Sequence, residues 1–91
     1  SIQRDLAILV SKDILSDQPL QIIREIGGDL VDSAYLFDLY VGNPIPEEKK
    51  SLAYTIEYRS QTETLTDDVI DEIQLRIIAR LEEDLKAELR T

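Results

Sequence analysis

Hydrophobic residues follow five separate patterns along the chain, and each pattern is typical of one secondary-structure element. Residues 4–10, 30–41 and 51–59 carry short apolar runs or alternate apolar with polar side chains, which predicts three β-strands. Residues 19–26 and 69–85 carry apolar side chains every three or four positions, which predicts two helices. Residues 87–90 are short enough to be either the end of the second helix or a fourth strand.

The strands differ in how clearly they separate their two faces. The third strand alternates most cleanly, and its core-facing side chains are predicted to be Leu52, Tyr54, Ile56 and Tyr58. On the second strand, Phe37 and Leu39 share one parity, and Asp38 and Tyr40 share the other. If Phe37 and Leu39 pack on the helices, Asp38 and Tyr40 face outward.

Both helices have recognisable ends. The first is predicted to begin near Ser16 or Asp17 and to end at Gly27-Gly28, where a left-handed cap fits. Thr66 is a good N-cap for the second, because its hydroxyl can accept a hydrogen bond from a free amide of the first turn. The apolar positions of the helices are predicted to be Leu20, Ile23 and Ile26 in the first, and Val69, Ile73, Ile77, Leu81 and Leu85 in the second, flanked by Ile70 and Ile78.

The order of elements is therefore β-α-β-β-α with a possible final β. Because each helix has one apolar stripe and the third strand has one apolar face, we expect an α+β fold with both helices on one face of an antiparallel sheet. The ferredoxin-like split β-α-β sandwich is the simplest arrangement of this kind. Residues 1–91 are predicted to form a single domain whose other sheet face is open to a partner.

Composition narrows the functions that such a domain can have. The net charge of −9 at pH 7 argues against broad, non-specific affinity for nucleic acid, whose phosphates must be neutralised by Lys or Arg, although a small local contact remains possible. The absence of cysteine excludes disulfides and thiolate chemistry, and the absence of histidine removes the usual proton shuttle. No apolar run approaches the roughly 20 residues that span a bilayer, and the first residues do not resemble a signal peptide.

Little in the sequence supports chemistry by this domain itself. Ser51 and Ser60 have no histidine to activate them, so we expect no catalytic residue. The carboxylate pair Asp67-Asp68 could bind a divalent ion, but acidic groups on a helix surface are usually only solvated, so we expect no metal site. Gly27-Gly28 follows a helix instead of leading into one, which excludes a phosphate-binding loop.

The open sheet face offers a more specific feature. Tyr40, if exposed there, is a stacking surface for an unpaired base, although it could equally be a half-buried cross-strand partner. Arg4 and the pair Lys49-Lys50 supply local positive charge, which could also serve only solubility and protection of the sheet edge.

Four motifs in order resemble one known family. They are Arg4-Asp5-Leu6-Ala7, the stretch Leu36-Phe37-Asp38-Leu39-Tyr40 with Gly42 and Ile45-Pro46 after it, Lys49-Lys50-Ser51-Leu52-Ala53-Tyr54, and Thr64-Leu65-Thr66-Asp67. With this spacing the chain resembles, over essentially its whole length, the ferredoxin-fold anticodon-binding domain at the C-terminus of bacterial phenylalanyl-tRNA synthetase β subunits. The start inside the first motif, with no initiator Met, indicates a C-terminal fragment of a longer chain.

The resemblance implies a cytoplasmic parent enzyme that uses ATP and magnesium to attach phenylalanine to its tRNA. Its catalytic centre lies in the α subunit of an α2β2 heterotetramer, so this domain would hold the anticodon stem-loop and contribute no chemistry and no cofactor of its own. The tRNA-binding residues that the resemblance carries over are Arg4, Asp38, Tyr40, Lys50 and Ser51. In that role Tyr40 would stack on a base, Asp38 would accept from a base edge or orient Arg4, and Lys50 would meet a phosphate.

Two positions depart from the family pattern, since Glu63 and Thr55 stand where the family often has arginine. Both departures remove positive charge, so affinity is predicted to depend on stacking and on the rest of the synthetase. A second hypothesis is a ferredoxin-like regulatory or oligomerisation module whose open sheet face binds a protein or small effector. A small hydrolase of acylphosphatase-like shape would need an anion-binding loop, and none is visible.

Overall fold

The computed structural model describes residues 1–90, and in this part of the chain four strands form one antiparallel sheet in the order β2-β3-β1-β4. The helices are α1 and α2, and a 3-10 turn over residues 28–30 links α1 to β2. The elements are β1 (Ile2–Ser11), α1 (Asp17–Gly27), β2 (Val31–Tyr40), β3 (Lys49–Tyr58), α2 (Asp67–Leu85) and β4 (Glu88–Leu89). This is the predicted α+β, ferredoxin-like arrangement.

The core lies between one face of the sheet and the two helices. β1 and β3 occupy the centre of the sheet and pair along their whole length, from Ile2↔Tyr58 to Ser11↔Lys49. Alternate residues of these strands face the helices, because side chains of a strand point to opposite faces in turn. The fully buried members include Ile8, Leu52, Tyr54, Ile56 and Tyr58 from the sheet, Ile23 from α1, and Ile70, Ile77 and Leu81 from α2.

The two tyrosines of β3 belong to the core, as predicted, and each buried hydroxyl has a partner. Tyr54 donates to the carbonyl oxygen of Ser16 at 2.8 Å, just before α1 begins. Tyr58 donates to Oε1 of Gln74 on α2. Each bond connects β3 to a helix and removes the cost of burying an unpaired hydroxyl.

The helices end close to where the sequence predicts, whereas the set of buried residues on each helix differs from the predicted set. Thr66 caps α2 by accepting a hydrogen bond from the Val69 amide at 3.4 Å. Gly28 ends α1 with φ 55° and ψ −133°, a positive φ as predicted but outside the left-handed helical region. In α2 the predicted core residue Val69 is 41% exposed, and Ile70 lies in the core instead. In α1 the buried residues are Pro19, Ile22, Ile23 and Gly27, so the predicted Leu20 and Ile26 lie at the margin of the core.

The end of the described chain is a fourth strand, which decides between the two alternatives for residues 87–90. Lys86 adopts a left-handed conformation with φ 56° and ends α2, and its amide donates to the carbonyl of Leu81. The chain then turns back and pairs with β1 through Ile8↔Leu89 and Leu9↔Glu88. The turn buries Ala87, so this short strand is anchored at its start.

Candidate nucleic-acid interface

The face of the sheet that points away from the helices carries three of the predicted site residues. The cross-strand pairs on this face include Tyr40↔Ser51 and Asp38↔Ala53 between β2 and β3. On β1, Leu9 lies opposite Ser51, and Ala7 lies opposite Ala53. Asp38 and Tyr40 therefore face outward as predicted, and Ser51 lies beside Tyr40.

A β-bulge changes the position of Phe37. The register of β2 against β3 shifts between Leu36 and Asp38, so Phe37 is the extra residue of the bulge. Its side chain is 53% exposed. With Ala7, Ala53 and Arg90 it borders a shallow pocket of about 360 Å³ that also reaches Gln74 and Ile78 of α2. The expectation that Phe37 packs on the helices is therefore wrong, because strict alternation of parity does not continue through a bulge.

Leu39 also departs from its expected place in the core. It pairs with the fully buried Leu52, yet it is 49% exposed. The difference arises from position within the sheet, since β3 has a neighbour on each side whereas β2 is an edge strand.

The ring of Tyr40 is exposed but fixed. Its side chain is 43% exposed, and its hydroxyl donates to the carbonyl oxygen of Asn43 at 2.5 Å. Asn43 belongs to a turn in which the Ile45 amide donates to the Gly42 carbonyl and Ile45 is buried. The phenol is thus held at its tip while a large part of the side chain is exposed, which favours stacking on a planar group over an ordinary core role.

Arg90 completes this part of the face, and the sequence analysis missed it. Its guanidinium nitrogen donates to Oγ of the buried Ser51 at 2.9 Å. Its backbone amide donates to the carbonyl oxygen of Ala7 at 2.8 Å. Arg90 comes close to Ser51 only because a fourth strand forms beside β1. The sequence indicated this strand only as one of two alternatives for residues 87–90.

Arg4 and Lys50 lie on the other side of the sheet. Arg4 pairs with Ile56, and Lys50 pairs with Val10, both of which are core residues. The structure therefore brings together Asp38, Tyr40 and Ser51, but it does not bring Arg4 or Lys50 to their face. That Arg4, Asp38, Tyr40, Lys50 and Ser51 bind tRNA stays a prediction.

The contacts of Arg4 are with the helix α2. Its guanidinium donates to Asp71 at 2.6 Å and to Asp67 at 3.2 Å. The hydrogen bond that Arg4 donates to the Asp71 carboxylate is the main cause that raises the pKa of Arg4. Arg4 thus joins β1 to the start of α2, and the hypothesis that Asp38 orients Arg4 is wrong because their side chains point to opposite faces of the sheet.

Away from the Tyr40 end, the open face is polar and partly acidic. Thr55 is buried and donates to the Asp5 carboxylate at 3.0 Å. Ser33 donates to Glu57 at 3.2 Å on the same face. The site is therefore confined to the end of the sheet that holds Tyr40 and Arg90.

Residues 1–90 contain no group of three or more side chains that could hold a metal ion. No helix in this part of the chain is long and apolar enough to cross a membrane.

Comparison with known proteins assigns the fold to a family. The family model for the ferredoxin-fold anticodon binding domain matches residues 1–90. The chain is 41% identical over 90 residues to the phenylalanine–tRNA ligase β subunit of Clostridium acetobutylicum, 43% over 90 residues to that of Clostridium tetani and 42% over 89 residues to that of Methylococcus capsulatus. These alignments cover 98–99% of the chain but 11% of each relative. The chain therefore belongs to the family of ferredoxin-fold anticodon binding domains.

Proposed function

We propose that this chain binds the anticodon stem-loop of phenylalanine tRNA as one domain of a phenylalanine–tRNA ligase β subunit. The observation that carries the proposal is the exposed ring of Tyr40, held by its bond to Asn43 beside Asp38 and Ser51. A regulatory or oligomerisation module would use the same open face, so it is family membership that favours anticodon binding over that alternative.

The geometry supports a contact with an unpaired base. Bases of a single-stranded loop are recognised by stacking on aromatic rings and by hydrogen bonds to their edges. Tyr40 supplies the ring, the Asp38 carboxylate accepts hydrogen bonds from base amino groups, and the Arg90 guanidinium donates to base or phosphate oxygens. Because the chain carries a net charge of −9, the contact is small and directional, and most of the affinity for tRNA comes from other parts of the enzyme.

In the proposed parent enzyme this domain contributes binding and no chemistry. The relatives are β subunits, so the partner is an α subunit in an α2β2 heterotetramer that works in the cytoplasm. ATP and magnesium serve the parent enzyme when it activates phenylalanine, and no residue of this domain is assigned to either of them.

Tyr40→Ala in the complete synthetase tests the proposal. Removing a stacked ring costs about 1–3 kcal/mol per base, so the KM for tRNA should rise about tenfold. Phenylalanine activation, measured by pyrophosphate exchange without tRNA, should stay at the wild-type level.

Leu75→Ala is the matched control, because Leu75 is a hydrophobic residue that is 67% exposed on α2. Its KM for tRNA should equal that of the wild type. A Tyr40→Ala enzyme with an unchanged KM for tRNA would rule out a contact between Tyr40 and the anticodon loop.

A further inference from the structure

Two side chains at β4 cross over β1 toward the site, one from the strand itself and one from the residue after it. Its ladder with β1 has only two residue pairs. Glu88 extends past β1 to form an ion pair with Lys49 on β3 at 3.4 Å. Arg90 extends past β1 in the same way and donates to Ser51 on β3 at 2.9 Å. Both connections link β4 to the first three residues of β3.

The two connections lie on the same face of the sheet. Lys49 and Ser51 are two residues apart on β3, and Glu88 and Arg90 are two residues apart near β4, so each pair points to one side. Glu88 and Ser51 both lie opposite Leu9 of β1, one on each flank. The Lys49–Glu88 ion pair is therefore next to the Arg90–Ser51 hydrogen bond, whereas Lys50 has the opposite parity.

From this arrangement we propose that Lys49 and Glu88 are positioning residues, whose ion pair holds Arg90 over Ser51 in the geometry that meets RNA. The inference rests on the proposed function. Two effects act together in the pair. It adds a second attachment to a strand with only two ladder pairs. It also engages the Glu88 carboxylate, an acceptor on the same face as Arg90 that, without Lys49, would compete with Ser51 for the guanidinium.

The competing explanation is that Lys49 itself contacts a phosphate, and the two explanations predict opposite results for Glu88→Gln. If Lys49 acts directly, removing its carboxylate partner frees the ammonium group and lowers the KM for tRNA. If the pair positions Arg90, removing the carboxylate releases β4 and raises the KM. An exposed ion pair is a weak interaction, so the expected increase is about two- to fourfold.

The experiment uses the complete synthetase and measures the KM for tRNA, the kcat of aminoacylation and phenylalanine activation without tRNA. Glu88→Gln and Lys49→Met should each raise the KM about two- to fourfold while kcat and activation stay unchanged. The double exchange Lys49→Glu with Glu88→Lys should return the KM to near the wild-type value, because it restores the pair with its charges reversed.

Hydrogen–deuterium exchange of the peptide that contains residues 87–90 provides an independent readout. The Arg90 amide is bonded to the Ala7 carbonyl, so Glu88→Gln should accelerate exchange in residues 87–90. The matched control is Glu25→Gln, which breaks another exposed pair, Glu25–Arg80 at 3.5 Å between α1 and α2. It should change neither the KM nor the exchange of residues 87–90.

Tyr40→Ala, measured in parallel, separates failure of the inference from failure of the proposed function. If Tyr40→Ala raises the KM but Glu88→Gln leaves it unchanged or lowers it, the positioning role is overturned and the proposed function stands. If neither variant changes the KM, the proposed function fails, and this inference fails with it. A double exchange that does not recover the KM also overturns the positioning role.

Discussion

Gly27 occupies a position where any larger residue would overlap a neighbour. It is the last residue of α1, with ordinary helical angles, so its backbone does not require glycine. A Cβ atom built there would overlap Cγ2 of Val31 at the start of β2. The close approach of helix to strand at this point depends on the absent side chain.

Gly27→Ala should therefore destabilise the fold by about 1–3 kcal/mol, the usual cost of overpacking a buried site. Urea unfolding followed by circular dichroism measures the change. In a Val31→Ala background, which removes the overlapping methyl groups, the additional cost of Gly27→Ala should shrink toward zero. An equal cost in both backgrounds would show that Val31 is not the cause.

At the scale of elements, α2 separates its two faces sharply. Ile77 is fully buried against the sheet, whereas Leu75, two residues earlier, is 67% exposed. The separation follows from the 3.6-residue period of the helix, which turns positions 75 and 77 to different sides.

Ile77→Ala should cost about 2–5 kcal/mol of unfolding free energy, because it leaves a cavity between α2 and the sheet. Leu75→Ala should change stability by no more than about 0.5 kcal/mol, since its side chain is already in water. Urea titration of both variants measures the two values. Similar losses for Leu75→Ala and Ile77→Ala would contradict the assigned orientation of α2.

In the edge strand β2, alternation along the sequence does not correctly predict which side chains are buried. The outward orientation predicted for Asp38 and Tyr40 is correct, but its condition, that Phe37 and Leu39 pack on the helices, is not met. Leu39 is exposed at the sheet edge, and Phe37 lies in a bulge. A bulge arises from the register between two strands, and that register is a property of the pair. The parity of β2 read along the chain could not reveal it.

At the scale of the whole molecule, the acidic residues are unevenly distributed. Seven of the nineteen acidic residues lie in α2, on the side of the sheet away from Tyr40. Two of these, Asp67 and Asp71, are paired with Arg4. The proposed RNA contact therefore lies on the opposite side of the sheet from these seven acidic residues.

The buried tyrosines predict how stability depends on pH. Burial raises the pKa of Tyr58 to about 12 from an ordinary value of 10.0, with a smaller opposing effect from Arg4. Burial is also the main cause that raises the pKa of Tyr54. The folded state keeps these protons while the unfolded chain releases them. Their contribution to stability is thus fully present below about pH 10 and is lost as pH rises toward 12.

Tyr58→Phe should reduce the loss of stability at high pH, because the variant has no phenolic proton to release at that position. The measurement is the difference in unfolding free energy between pH 9 and pH 11 for the variant and the wild type. Tyr35→Phe is the control, since Tyr35 is 47% exposed, and it should keep the wild-type pH dependence. Equal slopes for Tyr58→Phe and the wild type would contradict the assigned cause.

The candidate site was only partly predictable. Tyr40, Asp38 and Ser51 were identified from motifs and share a face in the structure. Arg4 was identified in the same way, but it pairs with Asp67 and Asp71 on the helix side. Arg90 was missed because it reaches Ser51 across β1, and no local pattern indicates a contact between residues that are 39 positions apart.

The sequence by itself determined the order of the elements, the helix-facing side of β3, the cap at Thr66 and the family, because these depend on local periodicity and motif spacing. Only the tertiary structure decided that residues 88–89 form a strand, that Phe37 lies outside the core, and that Lys49 and Arg90 belong to the face of Tyr40. These features depend on register between strands distant in sequence. Packing of the whole sheet selects that register, and the sequence of one strand specifies only one of the two partners in each pair.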